Sequence, residues 1–231
     1  MAGVSILSLG VRFQMFNAAF LIEPVEDERD LDQRIATASV QFSARGLSWS
    51  FWLCDGYLPP AVQKSARKCY SARGLRLASQ MPGMTALNMM PPTRDLPVCE
   101  LRPAVDGAGL DGFRVVGAEC FRVPPHWFAE VFDNKLAKRP GFHAWTGFVD
   151  DTPVASIATV VHSGAIGVYN VATVPAFRSR GYAEAVMRKA IHHEREREGN
   201  LPIVLQSTVG GLTLYEKLGF IPRTKFRVWI S

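Results

Sequence analysis

The chain predicts an α/β protein built on a mixed sheet, with a further α/β half in front of it. Three patterns carry that prediction. Apolar runs of strand length recur between residues 142 and 174, separated by two tight-turn sequences. A helix-periodic stretch beginning at residue 182 lies between two apolar strands, the signature of a crossover inside a sheet. The first 97 residues show a second, less regular alternation of strand-like and helix-like segments.

Taken in order, Met1 to Leu21 is apolar but broken by Arg12 and Gln14, with no convincing small-residue cleavage pattern behind it, and reads as a start that packs as a strand. Leu47 to Leu53 reads as a strand, Pro59 to Arg73 as a helix and Leu75 to Gln80 as a strand. Pro91-Pro92, Asp95 and Pro97 suggest a boundary, giving a partner domain over 1–97 and a main domain over 98–231. No phosphate-binding loop occurs in the first half, which is expected to be non-catalytic.

The main domain opens with a strand over Val98 to Leu101. Gly112 to Asn134 reads as irregular helix reset by Pro124-Pro125, with Trp127, Phe128, Val131 and Phe132 on the apolar face of its second piece. Phe142 to Val149, Val154 to Val161 and Ala165 to Val174 form a meander, turned at Asp150-Asp151-Thr152-Pro153 and at His162-Ser163-Gly164. A helix follows with Ala183, Val186, Met187, Ala190 and Ile191 on one face. Ile203 to Thr208 is the next strand, Leu214 to Phe220 carries the last helix, and Lys225 to Ile230 closes the chain.

Composition narrows the function. With 231 residues, 48% hydrophobic and 20% charged, the chain has ample material for a core. The net charge is +5 and the pI about 9.2, but the basic residues are scattered rather than clustered, so no nucleic-acid partner is expected. The run Glu194-Arg195-Glu196-Arg197-Glu198 alternates in sign and reads as the solvated end of a helix. Cys54, Cys69, Cys99 and Cys120 show no C-x-x-C and no metal spacing, which suits reduced, mostly buried thiols in the cytoplasm. No run reaches membrane-spanning length, and neither H-x-x-x-H nor a carboxylate cluster suggests a metal. The chain is not read as a dinucleotide or nucleoside-triphosphate binder. No G-x-G-x-x-G is expected to follow a strand, no acidic residue closes a strand at the required offset, and no G-K-[ST] appears.

The most informative stretch is Val174-Pro175-Ala176-Phe177-Arg178-Ser179-Arg180-Gly181-Tyr182-Ala183. It leads from a strand into a helix whose first N–H groups have no internal partners and whose dipole favours an anion. Gly181 and Ala183 allow close approach to the backbone, while Arg178 and Arg180 supply charge at the rim.

Arg178-x-x-Gly181-x-Ala183 after Val-Pro resembles the coenzyme A loop of the GNAT-type N-acetyltransferases, Q/R-x-x-G-x-G/A. Leu214-Tyr215-Glu216-Lys217-Leu218-Gly219-Phe220, after an intervening strand, resembles the same family's last helix, L-Y-x-x-x-G-F. Met81-Pro82-Gly83-Met84 resembles a stretch in two-part members with a degenerate N-terminal half. The resemblance implies a GNAT-like acyl-CoA N-acyltransferase fold that uses acetyl-CoA as co-substrate, without a metal, to acetylate a primary amine by direct attack.

By the same resemblance, acetyl-CoA lies between two diverging strands. Backbone groups of Ala172 and Val174 pair with the pantetheine arm like an added strand, Val171 and Thr173 belong to the same cofactor-binding set, and the N–H groups of Ser179, Arg180, Gly181, Tyr182, Ala183 and Glu184 take the pyrophosphate. A backbone N–H near Asn170 or Val171 polarises the thioester carbonyl. Tyr215 is the candidate general acid, because a phenol of pKa about 10 can protonate a departing thiolate of about 8.5. Two positions depart from the pattern. Thr208, counted among the cofactor-binding residues because it can still offer a hydroxyl, stands where many members carry Asn, and Ile203 where some carry a glutamate base. Glu119, Glu130 or a water relay is left to deprotonate the amine, while Asp150 and Asp151 read as turn residues. His126 and His143 read as structural, and His192 and His193 as exposed.

The acceptor is an amine on a small molecule, a peptide or a protein, and the sequence leaves room for a homodimer. Trp49, Trp52, Trp127 and Trp145 could line a cleft between the halves. The alternative is a non-catalytic sensor of CoA or acyl-CoA, which would have no use for a phenol at the sulfur.

Overall fold

In the computed structural model, residues 3–231 are described. Met1 and Ala2, where the expected N-terminal strand was to begin, lie outside them. The elements in chain order are β1 (Val4–Ser8), β2 (Asn17–Leu21), α1 (Glu28–Ser43), β3 (Ser50–Cys54), α2 (Pro60–Ala72), β4 (Arg76–Ala86), β5 (Glu100–Pro103), α3 (Gly107–Phe121), α4 (Pro125–Val131) and α5 (Asn134–Ala137). They continue with β6 (Phe142–Val149), β7 (Thr152–His162), β8 (Ala165–Thr173), α6 (Tyr182–Glu198), β9 (Ile203–Gln206), α7 (Leu212–Lys217) and β10 (Ile221–Ile230).

Contacts divide the chain into two compact units. One holds Met1–Gly83 together with Gln206–Gly210 and Pro222–Ser231; the other holds Met84–Leu205 and Gly211–Ile221. A single cut in the sequence does not describe this division, because β10 pairs antiparallel with β3 and so packs with the N-terminal segment.

In the first unit β1 pairs antiparallel with β2, β2 parallel with β3, and the order runs β1-β2-β3-β10-β4. Helix α1 starts where the Asp27 side chain accepts a hydrogen bond from the Asp30 N–H, and it buries Leu31, Ile35, Ala38 and Phe42 at helical spacing. Helix α2 has Pro60 in its first turn, where no N–H is needed. Aromatic stacking holds this core: Trp49 lies on Phe42 at 5.0 Å and Tyr70 on Trp229 at 4.5 Å between ring centroids.

In the second unit the order is β9-β8-β7-β6-β5, antiparallel from β8 to β5 and parallel between β8 and β9. Two-residue turns with positive φ at both positions join the meander: Asp150 and Asp151 (46° and 59°), then Ser163 and Gly164 (50° and 72°). Strand alternation sends helices to opposite faces. A Cβ on Gly112 of α3 would meet Thr146 and Phe148, whereas one on the intervening Gly147 would meet Val186 of α6. The expected mixed sheet with helices on both faces is what the chain forms.

Candidate active site

Strand β8 provides the floor of the site. Opposite β7 its register shifts between Ser156 and Ala158, and Asn170 takes a positive φ of 50° at that bulge. Opposite β9 it pairs only at Ile166↔Ile203 and Gly167↔Val204. Beyond Gly167 the edge of β8 that faced β9 is no longer laddered, while its other edge stays bonded to β7 as far as Thr173. Such an open edge is a ready partner for an extended amide-bearing chain.

The expected pantetheine residues lie along this stretch. Ala172 and Val174 are buried, Val171 and Thr173 half-buried. The Thr173 Oγ1 is buried without a hydrogen-bond partner, a donor and acceptor beside the open edge.

Val174-Pro175 then leads through one 3₁₀ turn into the loop. Gly181 is the N-cap of α6 with φ 98°, and no side chain caps the helix. Glycine is needed there twice over: the conformation is left-handed, and a Cβ would come within 3.0 Å of Pro97 Cδ and 3.2 Å of Arg94 Nη2. Helix α6 therefore begins with uncapped N–H groups and a glycine that leaves its backbone approachable, which fits a pyrophosphate. Ser179 (φ 62°) and Arg180 are exposed, and Tyr182 is buried with its ring edge-on to Phe177. Ala183 is half-buried, and Ala185 joins Val186, Met187, Ala190 and Ile191 on the buried face.

The rim charges are arranged unevenly. Arg178 turns back and donates from Nε to the Thr173 carbonyl at 2.9 Å. Arg180 lies over the Phe177 ring at 5.4 Å. Glu184 is ion-paired with Arg188 at 2.6 Å, so the acid nearest the loop is neutralised along the helix.

Tyr215 sits on α7 with 9% of its surface exposed, inside the core that also contains Ala172, Val174 and Tyr182. Its carbonyl accepts from the Phe220 N–H, and its ring meets Phe220 edge-on at 5.9 Å. Burial disfavours the phenolate and pushes its pKa up to about 12. Thr208 falls in the 206–210 stretch that packs with the N-terminal segment, where the Ser207 N–H bonds to the Pro82 carbonyl. Strand β9 consequently stops at Gln206, short of the expected Thr208.

Several expectations need correction. Glu194 is not solvated: it is fully buried, accepting from the Thr159 hydroxyl at 2.5 Å and from His143 Nδ1 at 2.8 Å. The apolar stripe of α6 continues through Ala190 and Ile191 to reach it, so periodicity carries a signal that charge alternation hides. Trp49 and Trp145 are each buried, in separate cores. Residues 90–97, read as a boundary, belong to a stretch, 87–99, laid along α6 inside the second unit. Met90 donates to the Leu218 carbonyl, Arg188 to that of Met90 at 2.6 Å, Lys189 to that of Cys99 at 2.5 Å, and Arg195 to that of Leu87. That path brings Arg94 to Gly181, a neighbour the sequence did not suggest.

Gly107-Ala108-Gly109-Leu110-Asp111-Gly112 does follow a strand and open a helix, with the G-x-G-x-x-G spacing. It is still no dinucleotide site. The strand before it, β5, pairs antiparallel with β6, whereas that motif requires a parallel βαβ unit. Its glycines serve packing: a Cβ at 109 would strike the Pro103 carbonyl and one at 112 the side chains of Thr146 and Phe148.

The candidate bases Glu119 and Glu130 are exposed, and Glu119 borders a surface cavity of about 780 Å³ along α3 and α4 with Arg114 and Arg122. All four cysteines are free thiols. Among the described residues no cluster of side chains could hold a metal, and no helix is long and apolar enough to cross a membrane.

Residues 140–222, spanning the meander, the loop and α7, match the family model of the acetyltransferase (GNAT) domain. Solved structures share the fold over nearly the whole chain. A GCN5-related N-acetyltransferase from Kribbella flavida superposes with a TM-score of 0.70 at 16% identity, covering 96% of this chain and 83% of that one. Its counterpart from Sphaerobacter thermophilus gives 0.64 at 15% identity, covering 99% and 75%. A tandem GNAT protein from the clavulanic acid biosynthesis pathway gives 0.58 at 12% identity, covering 93% and 74%. No curated protein matches the chain in sequence. The fold is that of acyl-CoA N-acyltransferases with an additional N-terminal region. Residues 140–222 are thus a match to the acetyltransferase (GNAT) domain, within a chain that shares the fold of these acyltransferases.

Proposed function

We propose that the protein transfers the acetyl group of acetyl-CoA to a primary amine by direct attack, in the cytoplasm, with the chemistry carried by the unit that holds Met84–Leu205 and Gly211–Ile221 and the N-terminal segment up to Gly83 a non-catalytic partner. The observation that carries this reading is the conjunction of an unladdered β8 edge with an uncapped α6 N-terminus at a left-handed glycine. An extended amide-bearing arm and a diphosphate suit those two features in that order along the chain. The Thr173 hydroxyl fits the same arm as an unpaired polar group. No metal enters the reading.

Acetyl-CoA supplies the activated thioester. The protein's own part is positioning and proton transfer. Backbone groups of 171–174 align the arm, and N–H groups of 179–184 with Arg178 and Arg180 hold the phosphates. A backbone N–H at the Asn170–Val171 bulge stabilises the charge that develops on the carbonyl oxygen. Tyr215, kept protonated by its burial, gives a proton to the departing sulfur. The amine proton leaves through Glu119, Glu130 or water.

The test is release of free thiol from acetyl-CoA across a panel of small-molecule and peptide amines. Amine-dependent release that falls with Tyr215→Phe supports the enzyme. Tight binding with no release for any amine in the panel supports the sensor instead.

A further inference from the structure

Three arginines stand near the phosphate loop, and two of them each make a contact within it. Arg178 has its Nε on the Thr173 carbonyl, and Arg180 lies over Phe177. The third, Arg94, comes from outside the 140–222 domain match. Its segment is held along α6 by Arg195 near the helix end, by Arg188 and Lys189 in the middle, and by Pro97 packed at Gly181. These contacts fix where residue 94 falls. Its Nη2 and Cζ lie 3.2 and 3.6 Å from the position a Gly181 Cβ would take. Among the described residues no hydrogen bond or ion pair of this exposed guanidinium is present.

An oxygen seated on the N–H groups of Gly181 to Ala183 would be within reach of that fork. A guanidinium suits a diphosphate because it offers two parallel donors in one plane. Glu184, the acid on the first turn, is paired with Arg188 and does not compete.

We infer that Arg94 is a diphosphate ligand for coenzyme A, delivered to the α6 N-terminus by the 87–99 segment, which thereby completes a site the acetyltransferase domain alone leaves open on one side. This rests on the acetyl-CoA reading given above.

The experiment is calorimetric titration of the full chain and its Arg94→Ala and Arg94→Lys variants with CoA and with dephospho-CoA, which keeps the diphosphate and lacks the 3′-phosphate. Arg94→Ala should weaken both ligands by roughly 5- to 30-fold, the loss expected for one charge-assisted contact. Arg94→Lys should recover part of that loss, and the alanine variant should show a shallower dependence on salt. Because the side chain is exposed, thermal stability should stay at the wild-type value. Equal affinity of wild type and Arg94→Ala for both ligands would overturn the inference while leaving the cofactor site intact. A loss seen with CoA but not with dephospho-CoA would overturn the diphosphate assignment in favour of the 3′-phosphate. Absence of binding by the wild type would remove the acetyl-CoA reading itself, and this inference with it.

Discussion

His143 Nδ1 lies 2.8 Å from a carboxylate oxygen of Glu194, a side chain without solvent exposure that the Thr159 hydroxyl also holds at 2.5 Å. The three residues tie β6, β7 and α6 together at the end of the helix remote from the loop. Removing the carboxylate takes the acceptor from His143 Nδ1, leaves the Thr159 hydroxyl only its longer bond to the His143 carbonyl at 3.4 Å, and opens a void. Glu194→Ala should cost about 2–4 kcal/mol and lower Tm by roughly 5–12 °C, with Glu194→Gln costing less. Differential scanning calorimetry reads both, and an unchanged Tm for the alanine variant would refute the tie.

Tyr215→Phe keeps the ring against Phe220 and removes only the hydroxyl. Turnover should fall roughly 10²–10⁴-fold while affinity for acetyl-CoA stays within about twofold. Steady-state kinetics beside a binding titration separates the two. Unaltered turnover would hand the proton to solvent.

Burial raises the phenol pKa of Tyr215 to about 12 and that of Tyr70 in the same direction. In the unfolded chain both phenols ionise near 10. Above about pH 10 the unfolded state therefore holds fewer protons than the folded one, and stability falls as pH rises from there through the folded pKa values. Their contribution is fully present below that range. Urea midpoints at pH 8 and above should show the decline, and it should be smaller in Tyr215→Phe. The same shift predicts that turnover has no descending limb from this acid until about pH 11 or above.

Gly112 tests the second glycine motif. A methyl group there would lie 2.8 Å from Thr146 Cγ2 and 2.9 Å from Phe148 Cζ. Gly112→Ala should destabilise the chain by about 1–3 kcal/mol through overpacking, with CoA affinity unchanged. Binding of a nicotinamide dinucleotide by the wild type, lost in this variant, would contradict the packing role.

The meander was legible because its turns carry residues that tolerate positive φ, Asp150-Asp151 and Ser163-Gly164, between strands of suitable length. Helix α1 escaped notice because its buried stripe, Leu31, Ile35, Ala38 and Phe42, is thin among polar neighbours and its Val40 points to solvent. Within the site, the loop and Tyr215 could be read because their chemistry is local in sequence. Arg94 there, and Glu194 at the far end of α6, could not, since each acquires its surroundings from segments far along the chain: Gly181 for the first, His143 and Thr159 for the second. The bulge at Asn170 is a property of strand pairing and leaves no residue signature of its own.

The most direct measurement is calorimetric titration of the wild-type protein with acetyl-CoA. One site per chain with a dissociation constant on the order of micromolar is the predicted result. No binding at millimolar acetyl-CoA would contradict the account at its centre, because the open β8 edge and the α6 N-terminus would then hold something else.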